Sequence, residues 1–505
     1  MTAKPRGLAL LLALALAGCA AAPADKPAVQ PSPLEVKLEQ ARQLGVKKDY
    51  RAADQMLDGV LSHPDFPKLS EETRGYALNL AGAVALDLGN PAKALLLLRQ
   101  ASGMAGRDTA QVWRDRLRAA YEFYDYAESA NTLVTIARRW PETLGEIPTD
   151  VIYEIVRSAA KPEFPVETRF RLLQALYDAN WRTNLGFEPD WVWHSLAVLQ
   201  LEAGDAQKAA ATLQRVMEPW SIVKIRVDRR FDALPLDREV ALDVFRALQS
   251  YVAKARDVAA AHPKSLEALR ELTYALLTAK QFDEVLAITE PFRLDLPPNS
   301  TLASKYEDWG EYIDWIVSDR ARALRAKGRV GEALPLMRQN AKRIEDGHVD
   351  VGHVVGLAYV LVRHEQPREA LEALDTITRI GKPSLYGRMR VEGMRLRAAL
   401  ALKDQPLAER ALKYLREHEI DAPATLQSAL IETGRHDEAA KLLAQRLADP
   451  LERGDALEDL QDFYELPATK VVQQWRKQWK VFMARRDVRA AIDKVGRIER
   501  YPFLF

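Results

Sequence analysis

Apolar residues recur along most of this chain at spacings of three and four, the period of a helix with one buried face. In residues 78–101, LNLAGAVALDLGNPAKALLLLRQA, Leu80, Leu88, Leu95 and Leu98 supply two such stripes, while Ala81, Gly82, Ala92 and Ala94 are small enough for close helix approach. Between the stripes Gly89 can take positive φ, Asn90 can cap a second helix, and Pro91 sits where a missing N–H costs nothing. The spacing predicts an αα-hairpin. One hairpin cannot bury both stripes, so it needs neighbours built the same way.

The pattern returns. Residues 34–64 carry Gly45, Tyr50, Ala53, Leu57 and Pro64 in matching places, and residues 112–141 carry Trp113, Leu117, Tyr121, Ala130, Ile136 and Pro141. Residues 151–177 keep the period with a blurred pattern. Further copies turn at Gly204-Asp205, Lys280-Gln281-Phe282, Lys327-Gly328-Arg329, Gln366-Pro367, Asp404-Gln405-Pro406 and Gly434-Arg435. Turn-to-turn distances of roughly 30 to 48 residues are those of helical-hairpin arrays, and the set resembles the tetratricopeptide repeat (TPR). The resemblance implies an all-α fold, a right-handed α-solenoid of about ten TPR-like hairpins over residues 34–447, with a concave groove for an extended peptide or a partner helix. Residues 448–505 read as C-terminal capping helices: Trp475, Trp479 and Phe482 form one stripe, Val488, Ala491, Val495 and Ile498 another, with Asp487 placed to cap the second helix.

Composition sets the bounds. A chain of 505 residues with 48% hydrophobic content can bury a long continuous core. Lys plus Arg is 72 against 71 for Asp plus Glu, so no charge excess argues for nucleic acid. Lys4 and Arg6 precede an apolar run, 8–17, that is too short to span a bilayer and reads with its flanks as a signal peptide, 1–18. Leu16-Ala17-Gly18-Cys19 resembles the bacterial lipobox, which implies lipidation of Cys19, the chain's single cysteine. No internal disulfide is then open to it. Residues 19–33 form a Pro- and Ala-rich tether. By resemblance to lipoprotein sorting, Ala20 favours the outer membrane, giving a lipid-anchored protein that faces the periplasm.

Candidate chemistry is sparse. The sequence has no HExxH, Walker or GxSxG motif, and Ser158 with Lys161 matches Ser-x-x-Lys without its companion motifs. Glu345, Asp346, His348, Asp350 and His353 are metal-binding residue types, but a polar loop with Asp350 as helix cap is the simpler reading. Two aromatic clusters, Trp181, Phe187, Trp191, Trp193 and Trp220, then Tyr306, Trp309, Tyr312 and Trp315, either fill gaps between diverged repeats or stack on sugars or peptides. Residues 221–231, SIVKIRVDRRF, alternate like an extended insertion whose Lys224, Arg226, Arg229 and Arg230 could receive carboxylates or phosphates. The acidic stretch 449–465 and the basic stretch 470–500 are expected to pair with each other. The reading is a scaffold or adaptor, not an enzyme, with no cofactor and no metal. It engages one or more envelope proteins in envelope assembly or secretion, with Lys224, Arg226, Arg229, Arg230, Trp191 and Trp193 as candidate contacts. Outer-membrane lipid is held through Cys19, peptidoglycan is a further candidate partner, and the alternative is a periplasmic glycan- or small-ligand-binding lipoprotein.

Overall fold

The computed structural model describes residues 31–504 except 105, 162, 236–240, 346 and 465–468. Cys19, the signal segment and most of the tether lie outside the described residues. The chain divides into two compact units that meet at residues 199 and 200.

In the N-terminal unit, α1 (Pro33–Val46) and α2 (Tyr50–Leu61), α3 (Glu71–Asp87) and α4 (Pro91–Ala101), and α5 (Ala110–Glu122) and α6 (Tyr126–Arg139) are antiparallel hairpins. Ser32 opens the first with a reciprocal capping box to Glu35. The diverged stretch forms α7 (Thr149–Ser158) and α8 (Val166–Asp178), and α8 packs chiefly on α6. Helix α9 (Asp190–Glu202) carries the boundary between units.

The C-terminal unit continues with α10 (Ala206–Leu213), α11 (Pro219–Val227), α12 (Val244–Ala261), α13 (Leu266–Thr278) and α14 (Phe282–Thr289). Three hairpins follow: α15 (Trp309–Ala326) with α16 (Val330–Ala341), α17 (Val351–Arg363) with α18 (Pro367–Ile380), and α19 (Leu385–Leu402) with α20 (Gln405–Glu417). Then come α21 (Pro423–Glu432), α22 (His436–Ala448), α23 (Arg453–Glu458), α24 (Lys470–Met483) and α25 (Arg486–Val495).

One turn makes these pairs. At Lys48, Gly89, Tyr124, Gly204, Lys280, Gly328, Glu365, Lys403 and Gly434 a single residue in left-handed geometry ends a helix. In all nine its N–H donates to the carbonyl three residues back, and the next N–H to the carbonyl five residues before it, as in Asn90 to Ala85 and Gln366 to Leu361. This is the Schellman closure, and it satisfies carbonyls the helix end would orphan. The residue after the turn is the N-cap of the next helix; Asp49, Asn90, Asp125, Asp205 and Asp404 accept a backbone N–H there through their side chains. Four residues beyond the N-cap stand Ala53, Ala94, Ser129, Ala209, Val285, Ala333, Ala370, Ala408 and Ala439, all buried. Small side chains at this point let the second helix lie close on the first. In the 78–101 hairpin the fit extends to Gly82, where a Cβ would stand 2.6 Å from Leu98.

The structure departs from the sequence reading in four places. The 221–231 stretch is not extended: it is helix α11 followed by a 3-10 turn at Arg229–Phe231, and Ile222, Val223, Ile225 and Val227 are all buried, so enclosure on several sides removes the 3.6-residue stripe. The 18-residue helix α12 has no counterpart in that reading. The N-cap of α25 is Arg485; Asp487 lies in the first turn instead and pairs with Arg485. Short strands also exist: β1 (Ile344–Glu345) pairs antiparallel with β2 (His348–Val349), and β3 (Asp462–Tyr464) pairs parallel with β4 (Arg500–Leu504).

The turn chemistry is testable because Gly328, at φ 76°, has open space where a Cβ would go. Gly328→Ala should destabilise by about 1 kcal/mol through backbone strain alone, while Lys403→Gly, relieving a non-glycine residue at φ 60°, should stabilise by about 0.5 kcal/mol after glycine's entropy is subtracted. Urea denaturation of both variants reads the two signs.

Candidate functional site

The four basic residues marked in the sequence lie on and just after α11, and the carboxylates and carbonyls they meet belong to the chain itself. Lys224 Nζ is 2.5 Å from Asp455 and 3.1 Å from Glu458. Arg226 pairs with Glu499 at 2.5 Å. Arg229 Nε donates to the Gly496 carbonyl at 3.0 Å, and Arg230 reaches Asp228 at 2.5 Å and the Pro450 carbonyl at 2.6 Å. The return contacts come from Arg497, whose backbone N–H donates to Val227 O at 3.0 Å and whose guanidinium pairs with Asp232. Trp220 packs edge-on against Phe463 with centroids 5.5 Å apart. Residues 219–232 thus form a clasp with residues 450–463 and 496–499, segments more than 200 residues away in sequence. The expected pairing of the acidic stretch with the basic tail is largely replaced by it. Asp455 and Glu458 go to Lys224, and Asp459 goes to Arg446 at 2.8 Å; from the tail, Arg500 meets Asp462 at 3.5 Å. Burial pushes the Glu458 carboxyl up to about 7 against the pull of Lys224.

The aromatic candidates are mostly interior. Trp193 is fully buried, donates to Glu188 at 2.8 Å and meets Tyr177 edge-on; Trp181 is buried beside Tyr153. Trp191 is half-buried between Tyr153, 5.2 Å away, and the Arg157 guanidinium, 5.6 Å away. Trp309 stacks on Phe292. The histidines diverge: His348 bonds the Ile380 carbonyl, whereas His353 is buried with Nε2 3.1 Å from Asp314 and Nδ1 3.2 Å from Ser318. Asp350 caps α17 through His353 N–H. Among the described residues no three His, Cys, Asp or Glu side chains converge as a metal set would. Ser158 is buried, and the Lys161 ammonium lies 5.7 Å from the Tyr126 ring.

A row that the sequence reading did not single out runs over α13, α15, α17 and α19. Six residues before the left-handed turn residue, these helices carry Tyr274, Arg322, Tyr359 and Arg397. Arg270 lies 4.9 Å from the Trp315 ring and Arg322 5.7 Å from Tyr274. Arg363 lies 5.1 Å from Tyr359 and donates to its hydroxyl at 2.5 Å. Arg397 lies 5.9 Å from Tyr359 on one side and 5.0 Å from Trp475 of α24 on the other. These are cation–π distances. Some charges in the row are compensated: Arg397 grips Glu432 with three hydrogen bonds, at 2.6, 2.9 and 3.0 Å, and Arg270 lies 3.4 Å from Glu271. Arg322 stands 3.5 Å from buried Asp319, whose carboxyl is raised by burial. Among the described residues Arg325 makes no hydrogen bond or ion pair; burial, with Arg363 and Arg322 adding repulsion, lowers it to about 10. The same environment lowers His364, through burial and then the charges of Arg325 and Arg363. The turn supplies the one alignment that finds this row, since counting back from it places an Arg or Tyr at the same point in successive copies.

No protein-family model and no curated protein matches the chain. Among solved structures it is similar to the yeast Tom70, at 12% identity over 91% of this chain and 99% of that one, with a TM-score of 0.32. It is also similar to the P58(IPK) TPR domain, at 13% identity over 83% and 100% with a TM-score of 0.20, and to the APC/C hetero-tetramer Cut9-Hcn1, at 11% over 92% and 96% with 0.28. The repeated hairpin geometry itself defines the class: this is an all-α helical-repeat protein.

The clasp and a half-buried acid in the N-terminal unit each give a prediction. A Cβ at Gly496 would stand 2.5 Å from Leu457 and 2.9 Å from Val227 O, so Gly496→Ala should destabilise by about 1–3 kcal/mol; hydrogen exchange should show protection lost together in 219–232, 453–463 and 496–499. Burial pushes Asp115 up to about 6, with Gln111 donating to it at 3.0 Å. Its folded pKa is raised, so its contribution is full at low pH and is lost as pH rises through about 6. Asp115→Asn should therefore gain about 1–2 kcal/mol at pH 8 and nothing at pH 4, allowing for its residual exposure; urea midpoints at the two values read the difference.

Proposed function

We propose that the chain is a lipid-anchored scaffold on the periplasmic side of the outer membrane, acylated at Cys19, whose hairpin faces hold protein partners in envelope assembly or secretion. The observation that carries the binding role is the row on α13, α15, α17 and α19. Successive copies of one turn set arginines and aromatics at equivalent points, and such side chains are the common anchors of protein interfaces. The address rests on residues 1–19 read as a lipoprotein signal. Two acyl chains or more make anchoring stable where one is marginal. The glycan-binding alternative has less support, because Trp181, Trp193 and Trp309 of its two aromatic clusters are interior.

Crosslinking in intact cells, followed by purification and mass spectrometry, tests the scaffold. One dominant envelope protein should be recovered, with crosslinks on consecutive hairpins. Cys19→Ser should release the chain from the membrane and abolish that recovery. Background proteins alone would overturn the scaffold, and full complementation by the soluble variant would remove the anchor from its mechanism.

A further inference from the structure

The N-terminal unit leaves large apolar side chains exposed along one edge, where three hairpins turn. Val46 at the end of α1, Leu88 after α3, and Phe123 and Tyr124 after α5 are 52%, 37%, 50% and 68% exposed. Contacts between the hairpins join them. A Cβ at Gly45 would stand 4.0 Å from Val84, which sets the end of α1 beside the end of α3. Arg118 lies 3.5 Å from Asp87 and 2.8 Å from Glu122, the neighbours of Leu88 and Phe123. Tyr124 packs on Tyr126 with centroids 6.4 Å apart, and Lys161, between α7 and α8, stands 5.7 Å from the same Tyr126 ring. The turn itself does not require apolar side chains: where these hairpins have Leu88 and Phe123, later ones have Ala279, Lys327, His364 and Thr433, and Leu402 is half-buried. The acids of the edge are engaged within the chain, Asp87 and Glu122 by Arg118, Asp125 by Arg99 at 3.0 Å, and Asp49 as the cap of α2. Lys47 and Lys48 are exposed, and among the described residues neither pairs with an acid.

We propose that this edge rests on the phospholipid surface, with Leu88, Phe123 and Tyr124 entering the boundary between headgroups and acyl chains and Lys47 and Lys48 meeting lipid phosphates. The reading rests on the anchoring of the chain at Cys19 and names the face that the anchor brings to the bilayer. Chain length selects the occupant. Residues 20–32 separate the anchor from α1 and can span at most about 45 Å, so α1 begins within that distance of the lipid. Helix α1, of 14 residues, carries the chain only about 21 Å from the tether to the edge. The tether is therefore long enough to return beside α1 and lay the edge on the bilayer. Composition agrees: an amphipathic ring such as Tyr124 suits the interface, lysines favour anionic headgroups, and acids neutralised by arginines repel those headgroups little. The edge alone holds more weakly than an acyl chain. Tethering raises its effective concentration at the surface, so the two act together and Cys19→Ser still releases the chain.

The experiment mixes the unacylated chain, residues 20–505, which keeps every described residue, with vesicles of phosphatidylethanolamine and phosphatidylglycerol and measures sedimentation with lipid. The chain should co-sediment, and Leu88→Ser, Phe123→Ser and Tyr124→Asn combined should cut the bound-to-free ratio at least about tenfold. Lys47→Gln with Lys48→Gln should remove most of the dependence on salt and on phosphatidylglycerol. These side chains are exposed, so the variants should melt with the parent. Hydrogen exchange on the parent gives a second reading that needs no variant, with protection gained at 44–50, 86–92 and 121–127 when vesicles are added. No sedimentation at about 5 mM lipid, equal partition of parent and triple variant, or crosslinks from these positions to a protein in intact cells would each overturn the membrane-facing edge. The two levels fail separately. A chain that Cys19→Ser releases in cells but that does not partition keeps its anchor and loses this edge; one that partitions through these side chains but that Cys19→Ser leaves in place keeps the edge and loses the acyl anchor.

Discussion

A left-handed residue that closes one helix and hands its neighbour the N-cap of the next is the constraint on which the rest depends. Because the two hydrogen bonds fix both ends of the turn, they also fix the rotational phase of each helix in the pair. A position counted backward from the turn then has a constant environment, and so does a position counted forward. Four residues past the N-cap, the side chain is buried and in most copies small, as Ala53, Ala94, Ala209, Ala333 and Ala370 are. Six residues before the turn residue, it stands on the face that carries Tyr274, Arg322, Tyr359 and Arg397. Packing on one side and recognition chemistry on the other therefore follow from the same geometry.

The clasp is held differently. No hairpin turn joins residues 219–232 to residues 450–501, so apolar phase cannot set their register. Polar contacts do: the Asp228–Gly496 bridge, the Arg497 N–H on Val227 O, and ion pairs from Lys224 and Arg226. Partly buried ion pairs add modestly to stability once desolvation is counted, and their geometric demands make them suited to fixing which segments meet. The close fit of Gly496 against Leu457 supplies the packing that such pairs lack.

Local hydrogen bonding was legible in the sequence, and long-range pairing was not. Gly89, Asn90 and Pro91 do in the structure what their chemistry implies, and Asp350 caps its helix. Turns whose left-handed position holds Lys48, Tyr124, Glu365 or Lys403 are harder to see, because those residues carry no conformational signature and the helix imposes the angle. Helix α11 read as extended because periodicity reports contrast between faces, and a segment enclosed on several sides has little. The acids at 449–462 were visible as a charge block, but net charge says nothing of which basic block it meets; proximity in sequence pointed to the tail, and the fold delivered Lys224 and Arg446. The row was hidden for a related reason: Tyr274, Arg322, Tyr359 and Arg397 are ordinary helix residues until the copies are aligned on their turns.

Within that row the distribution of carboxylates separates what the fold needs from what it tolerates. Arg397 has Glu432 in bidentate geometry and stacks between Tyr359 and Trp475, so its charge is absorbed into packing between α17, α19 and α24. Arg363 also has Tyr359, but a phenol neutralises no charge, and Arg325 lacks even that. A fold optimised for stability alone would place an aliphatic residue or an acid at one of these positions. Guanidinium groups without a matched carboxylate, on a face otherwise built of matched pairs, are a local electrostatic cost that the helices tolerate where the side chains are only partly buried.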